Sequence, residues 1–219
     1  MNSKFATGVG PEVEAAVLER EAEILGKPIR IKPLEPAEVS DEAMAFMAEI
    51  QGAFGTNRWK AEDIPATMRM SFRNLPLFRR QLGFITFLLT EGTLPARDRE
   101  LAIIRILWLC GSPNPYGEHV ELAKRSNISD EEVEQITRGS AADGWNEHDR
   151  AILSATEQLY DSQTMSDETW ETLSKSWSKK QLLEFPILIG QYIGSALFHN
   201  SMRTIMSSYN RGLRHHRRA

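Results

Sequence analysis

Residues Arg99 to Cys110 read RELAIIRILWLC, and this stretch decides the fold. Ile103, Ile104, Ile106, Leu107, Trp108 and Leu109 cover a helix on every side. The helix from Ala96 to Leu109 is therefore expected to be buried all round. Two charges go in with it. Glu100 opens the run, and Arg105 sits among apolar neighbours. Desolvating a charge costs on the order of several kcal/mol, so both need partners. They form either a structural ion network or a functional pair beside a pocket.

Working outward from that helix, periodicity near 3.6 dominates. No segment alternates with period two, and no Asn-Gly or Asp-Gly turn sits between two apolar runs. The fold class is all-α. Towards the N-terminus, Pro95 and Gly92 break the chain. Before them comes a helix introduced by Asn74 and Pro76, then a short one over Ala66 to Arg73, then a loop from Gly55 to Pro65. A helix from Ser40 to about Phe54 opens on Asp41 and Glu42, which suit its positive end. Gly26 to Val39 holds three prolines and reads as extended. Glu12 to Leu25 reads as an exposed, charged helix. Residues 1–39 thus form an N-terminal arm and residues 40–219 one helical domain.

On the C-terminal side, Gly111 to Pro115 reads as a turn, with prolines at 113 and 115. Tyr116 to Arg125 is a short helix. Ser129 with Glu132 is a capping box, opening a helix to Arg138. Glu147 to Asp161 and Ser166 to Ser174 are amphipathic helices, and Ser178 to about Tyr209 is a long last one. Pro186 lies in it, and Gly190 and Gly194 fall four apart on one of its faces. The tail, Arg211 to Ala219, is basic and is expected to be a frayed, solvated end.

Composition narrows the function classes. Among 219 residues, 41% are hydrophobic and 26% charged, the balance of an ordinary globular chain. The net charge of −4 argues against a nucleic-acid partner. The one cysteine, Cys110, allows no intrachain disulfide, and the opening residues lack an apolar signal core. The longest apolar-rich run, Pro186 to Phe198, is too short to span a bilayer. A cytoplasmic protein with no membrane partner is expected.

Tyr116, His119, Val120 and Ala123 share one face of their helix, so His119 points inward near that helix's start, where a neutral imidazole is favoured. Such a ring serves as a general base, or as an acid once charged. A lone inward histidine is more often one that is only hydrogen-bonded in the core, and the pattern alone does not overturn that. The histidines form no ligand-spaced cluster, so no metal and no other cofactor is expected.

The residues from Leu94 to Arg105, then Trp108-Leu-Cys-Gly-Ser-Pro113, then Gly117-Glu-His-Val120, resemble the carboxymuconolactone decarboxylase / alkylhydroperoxidase-D-like superfamily, and its decarboxylase branch in particular. The stretch Asp149 to Leu153, Asp167 to Leu173, and Gln181 through Tyr192 resemble it too. The resemblance implies an alkylhydroperoxidase-D-like helical bundle, assembled as trimers or hexamers, with dimers also known. It implies Glu100, nineteen residues before His119, as the partner of that histidine. The thiol-peroxidase branch carries a Cys-x-x-Cys pair that would fall at 112 and 115. Ser112 and Pro115 stand there, so a disulfide cycle is excluded. Many decarboxylase relatives read Tyr-Glu-Trp-Gly-x-His before the histidine; here Asn114-Pro-Tyr-Gly-Glu-His119 replaces the acid by Pro115 and the tryptophan by Tyr116.

The resemblance therefore implies a cofactor-independent carbon–carbon lyase, a decarboxylase of a lactone or aromatic-derived, lignin-type carboxylic acid. His119 would be the general acid/base and Glu100 its partner. Tyr116 and Trp108 would contact substrate, and Arg105, Arg73 or Arg69 would anchor its carboxylate. An isomerase or hydratase would use the same proton transfers. A non-catalytic oligomeric binding module, or a single-thiol redox protein built on Cys110, would also fit these residues.

Overall fold

The computed structural model describes residues 11–53 and 59–217. Readings that fall on residues 1–10, 54–58 and 218–219 lie outside these. Ten α-helices are described: α1 Pro11–Ile24, α2 Asp41–Ala53, α3 Ala66–Ser71, α4 Leu75–Thr90, α5 Ala96–Leu109, α6 Pro113–Arg125, α7 Asp130–Arg138, α8 Glu147–Ser162, α9 Asp167–Ser174 and α10 Lys179–Met202. Among the described residues there is no strand. No described helix is long and apolar enough to cross a membrane.

The all-apolar helix is the centre of the molecule. α5 is packed by α6, α7, α8 and α10. Leu101, Ala102, Ile103, Ile104, Ile106, Leu107 and Trp108 are sealed from solvent. Burying each large one stabilises the fold by roughly 1.5–3 kcal/mol. The surrounding helices start where the sequence caps them. Ser129, Asn146, Ser166 and Ser178 each accept a hydrogen bond from the backbone N–H three residues on. Each such cap is worth about 1 kcal/mol.

A second apolar cluster lies under α2 and α4. Ala43, Phe46, Met47, Ile64, Phe72, Leu75 and Leu82 form it. Phe78 stands edge-on to Phe46 and Phe72, with ring centroids 6.0 and 5.7 Å away. This unit meets α6 and the end of α10 across a cleft.

Four expectations are corrected. α6 begins at Pro113, not Tyr116. Prolines 113 and 115 occupy positions whose N–H would have no intrahelical partner, so they start the helix rather than break it. His119 is consequently the seventh residue of α6, beyond the first turn where the helix end acts. α10 ends at Met202, because Arg203 turns left-handed at φ 54° and its N–H bonds back to Asn200 and His199. α1 is not solvated all round: Val17 and Ile24 are buried, Val17 within the main core. The basic tail is docked, not frayed. Leu213 is fully buried and His215 and His216 nearly so. Glu21 of α1 accepts from the Leu213 backbone at 2.8 Å and from Arg214 at 2.6 Å.

Candidate active site

The hairpin of α5 and α6 brings Glu100 against His119. Gly111, with φ +53°, supplies the left-handed residue that lets the chain reverse between the two helices. His119 Nδ1 lies 2.8 Å from Glu100 Oε2. Both side chains are buried, Glu100 almost completely. A carboxylate only accepts, so His119 Nδ1 carries the hydrogen, and in the neutral ring Nε2 keeps its lone pair. The other carboxylate oxygen, Oε1, accepts from Arg99 Nε at 3.2 Å, which balances the buried charge.

α10 closes this pair from the other side. Tyr192 meets the His119 ring edge-on, with centroids 4.9 Å apart. The Tyr192 hydroxyl is buried with no hydrogen-bond partner among the described residues. Burial, and then the Glu100 charge, push this phenol well above its ordinary range, so it is a neutral donor. Ser195 and His199 follow Tyr192 on the same face of α10. Burial first, and the nearby His119 second, push His199 down to about 4, so its ring is neutral at pH 7.

Beside them lies a cavity of about 670 Å³ between the second apolar cluster, α6 and the end of α10. Trp59, Met68, Phe78, Leu82, Ile85 and Phe198 give it apolar walls; Asn114, Glu118, Ser195 and His199 give it one polar end. Glu118 is held as an acceptor by Ser207 at 3.0 Å, by Asn210 at 3.2 Å and by the Tyr209 hydroxyl. His119 does not line this cavity; it is the next group inward, on Tyr192 and near His199.

The other residues expected at the site are elsewhere. Arg105 is fully buried and bonded to Glu157 at 2.9 Å and to the carbonyls of Thr137 and Ile136. Trp108 and Tyr116 pack on each other in the core, with centroids 5.7 Å apart, and the Tyr116 hydroxyl meets His216. Arg69 donates to the carbonyls of Ile64 and Leu34, and Arg73 to that of Lys32. None of these five lines the cavity. Burial pushes the Cys110 thiol up to about 12, which makes it a poor nucleophile. Among the described residues no three His, Cys, Asp or Glu side chains converge as a metal cage.

With that geometry in hand, the sequence model of the carboxymuconolactone decarboxylase family matches residues 76–158, a span holding α5, α6, Glu100 and His119. Over that span, less than half of its 219 residues, the chain is similar to the carboxymuconolactone decarboxylase family. Solved structures share its fold at low identity. The debrominase Bmp8 matches at TM-score 0.65 and 14% identity, over 82% of this chain and 92% of its own. A cysteine-to-alanine variant of that debrominase, in complex with 2,3,4-tribromopyrrole, matches at 0.64 and 14% over 83% and 93%. A protein of unknown function from Agrobacterium tumefaciens, suggested to be an antioxidant defence protein AhpD, matches at 0.57 and 16% over 63% and 94%. The comparison with curated proteins gave no match. The Glu100–His119 pair came from the resemblance. Tyr192, Glu118 and His199 were not among the site residues expected from the sequence. Their signal was the spacing of Tyr192, Ser195 and His199 along one face of α10.

Proposed function

We propose that this chain is a cofactor-independent acid–base enzyme in which His119 Nε2 moves a proton at a substrate carbon and Glu100 orients the ring. The single observation that carries this is the buried 2.8 Å bond from His119 Nδ1 to Glu100. It leaves one tautomer, with the basic nitrogen unpaired among the described residues. In the lyase form, a lactone or aromatic-derived acid loses CO2. The acid's proton passes to His119 Nε2, the electrons of the broken C–C bond enter an adjacent unsaturated carbonyl, and His119 then returns that proton to carbon. Apolar cavity walls favour the transition state over the free carboxylate.

A second form, isomerisation or hydration of an uncharged substrate, is favoured by a specific observation. The described cavity lining holds Asp63 and Glu118 and no lysine or arginine, so a carboxylate finds no counter-ion there. A neighbour of the same fold was solved with tribromopyrrole, a small ring without a carboxylate, which is consistent with such a ligand. Self-association is proposed along α10, where Leu183, Ile187 and Leu197 are exposed and a Cβ on Gly190 or Gly194 would meet nothing. Sedimentation of the Leu197→Glu variant tests it.

The test of function is a panel of lactone acids, aromatic acids and uncharged enones, assayed with the parent chain, His119→Ala and Cys110→Ser. Turnover abolished by His119→Ala and retained by Cys110→Ser is expected. Turnover that survives His119→Ala and fails in Cys110→Ser would sink the proposal and favour the thiol. Tight binding of a panel member with no turnover of any would make the chain a binding module.

A further inference from the structure

The hydrogen bonds around His199 fix where its proton sits. Asn114 Nδ2 donates to the Ile205 carbonyl at 3.1 Å, which settles the orientation of that amide. The same nitrogen donates to Thr204 Oγ1 at 2.8 Å. Thr204 is buried, and its own hydroxyl hydrogen has one acceptor within reach among the described residues, His199 Nδ1 at 2.8 Å. A buried hydroxyl hydrogen left unpaired is costly, so Thr204 donates and His199 Nδ1 accepts. In a neutral ring the proton then resides on Nε2. That nitrogen has no partner among the described residues and is not one of the buried orphan atoms, so it opens onto the cavity that the ring lines.

His119 is held in the opposite state, with hydrogen on Nδ1 and a lone pair on Nε2. We propose that the cavity takes an uncharged, largely apolar carbonyl compound whose oxygen accepts a hydrogen bond from His199 Nε2–H. This goes beyond the acid–base reading of His119 given above and does not depend on it, since His119 lies one group further inward. Charge selects the same substrates: Glu118 and Asp63 repel a carboxylate, and the apolar walls accept a ring.

The test is long-range ¹H–¹⁵N correlation on the ¹⁵N-labelled full chain at pH 7, with the rings assigned through His119→Gln and His199→Gln. His199 is expected as the neutral Nε2–H tautomer and His119 as Nδ1–H. 2-Cyclohexenone is expected to shift the His199 Nε2–H resonance, and cyclohexanecarboxylate at equal concentration is expected not to. In His199→Phe, with its helical circular dichroism retained, ketone affinity is expected to fall about tenfold, one hydrogen bond's worth. The inference is overturned by a protonated or Nδ1–H His199. No ketone shift up to its solubility limit, preferential carboxylate binding, or undiminished ketone affinity in His199→Phe would equally overturn it. The His119 tautomer reports on the acid–base reading separately, so either can fail while the other stands.

Discussion

His216 Nδ1 lies 2.9 Å from the Tyr116 hydroxyl, and this bond ties the last residues of the chain to the helix that carries His119. His216 Nε2 lies 2.8 Å from Glu134 Oε2 on α7. A carboxylate only accepts, so Nε2 carries the hydrogen and Nδ1 accepts from Tyr116. Burial, and then the Glu134 charge, push the Tyr116 phenol well above 10, which keeps it a donor. His216→Ala leaves that hydroxyl unpaired in the core. The expected loss is about 2 kcal/mol of unfolding free energy, read from the urea midpoint. A midpoint equal to the parent's would show the tail to be an ornament.

The same contact sets an acid limb. The His216 hydrogen bond first, and Arg217 after it, hold Glu134 down at about 2 against an ordinary 4.5. A folded pKa below the unfolded one gives stability that is complete above the unfolded value and lost as pH falls towards the folded value. Thermal midpoints are therefore expected to fall between pH ~5 and pH ~2, with about 2 kcal/mol traceable to this group. Glu134→Gln should be less stable than the parent at pH 6 and converge on it near pH 2. Parallel pH profiles for the two proteins would remove Glu134 from the acid limb.

The two errors about this region share a cause. A basic tail looks solvated when only its own residues are read. Its docking depends on Glu21, Glu121 and Glu134, which three other helices deliver. α5 was legible to the residue because an all-apolar helix needs no partner to be recognised. α6 was misplaced because prolines 113 and 115 read as breakers until their first-turn positions were visible. His199 was not singled out as a site residue for a similar reason. Its role depends on Thr204, which lies beyond a left-handed helix end at Arg203 that the sequence does not announce.

Arg105 separates structure from substrate binding. Its guanidinium is sealed among Glu157, Ile136 and Thr137, and Gly139 stands at φ +88° where a Cβ would come within 2.4 Å of Arg105 Nη2. A lysine has no fork to satisfy these acceptors together. Arg105→Lys is expected to lose about 3 kcal/mol of stability while the folded fraction keeps the parent's KM. A raised KM at unchanged stability would return Arg105 to the substrate.

Gly117 gives the sharpest test, because local and tertiary rules predict opposite signs. Alanine for glycine inside a helix ordinarily gains about 1 kcal/mol. Here a Cβ on Gly117 would fall 1.9 Å from Asn210 Oδ1. The Asn210 side chain donates to the Asn114 carbonyl at 2.8 Å and to Glu118 at 3.2 Å, and accepts from the Gly212 backbone at 2.9 Å. Displacing it breaks three bonds in a buried region, so Gly117→Ala is expected to destabilise by about 2 kcal/mol net. It should also loosen Asn114, and through Thr204 the His199 ring, so ligand affinity at the cavity should fall with stability. In an Asn210→Ala background the obstruction is gone and only the helix propensity remains. There the same substitution should stabilise, and a double-mutant cycle should give a coupling of about 3 kcal/mol. Additive effects would mean that Asn210 does not hold this corner of the site.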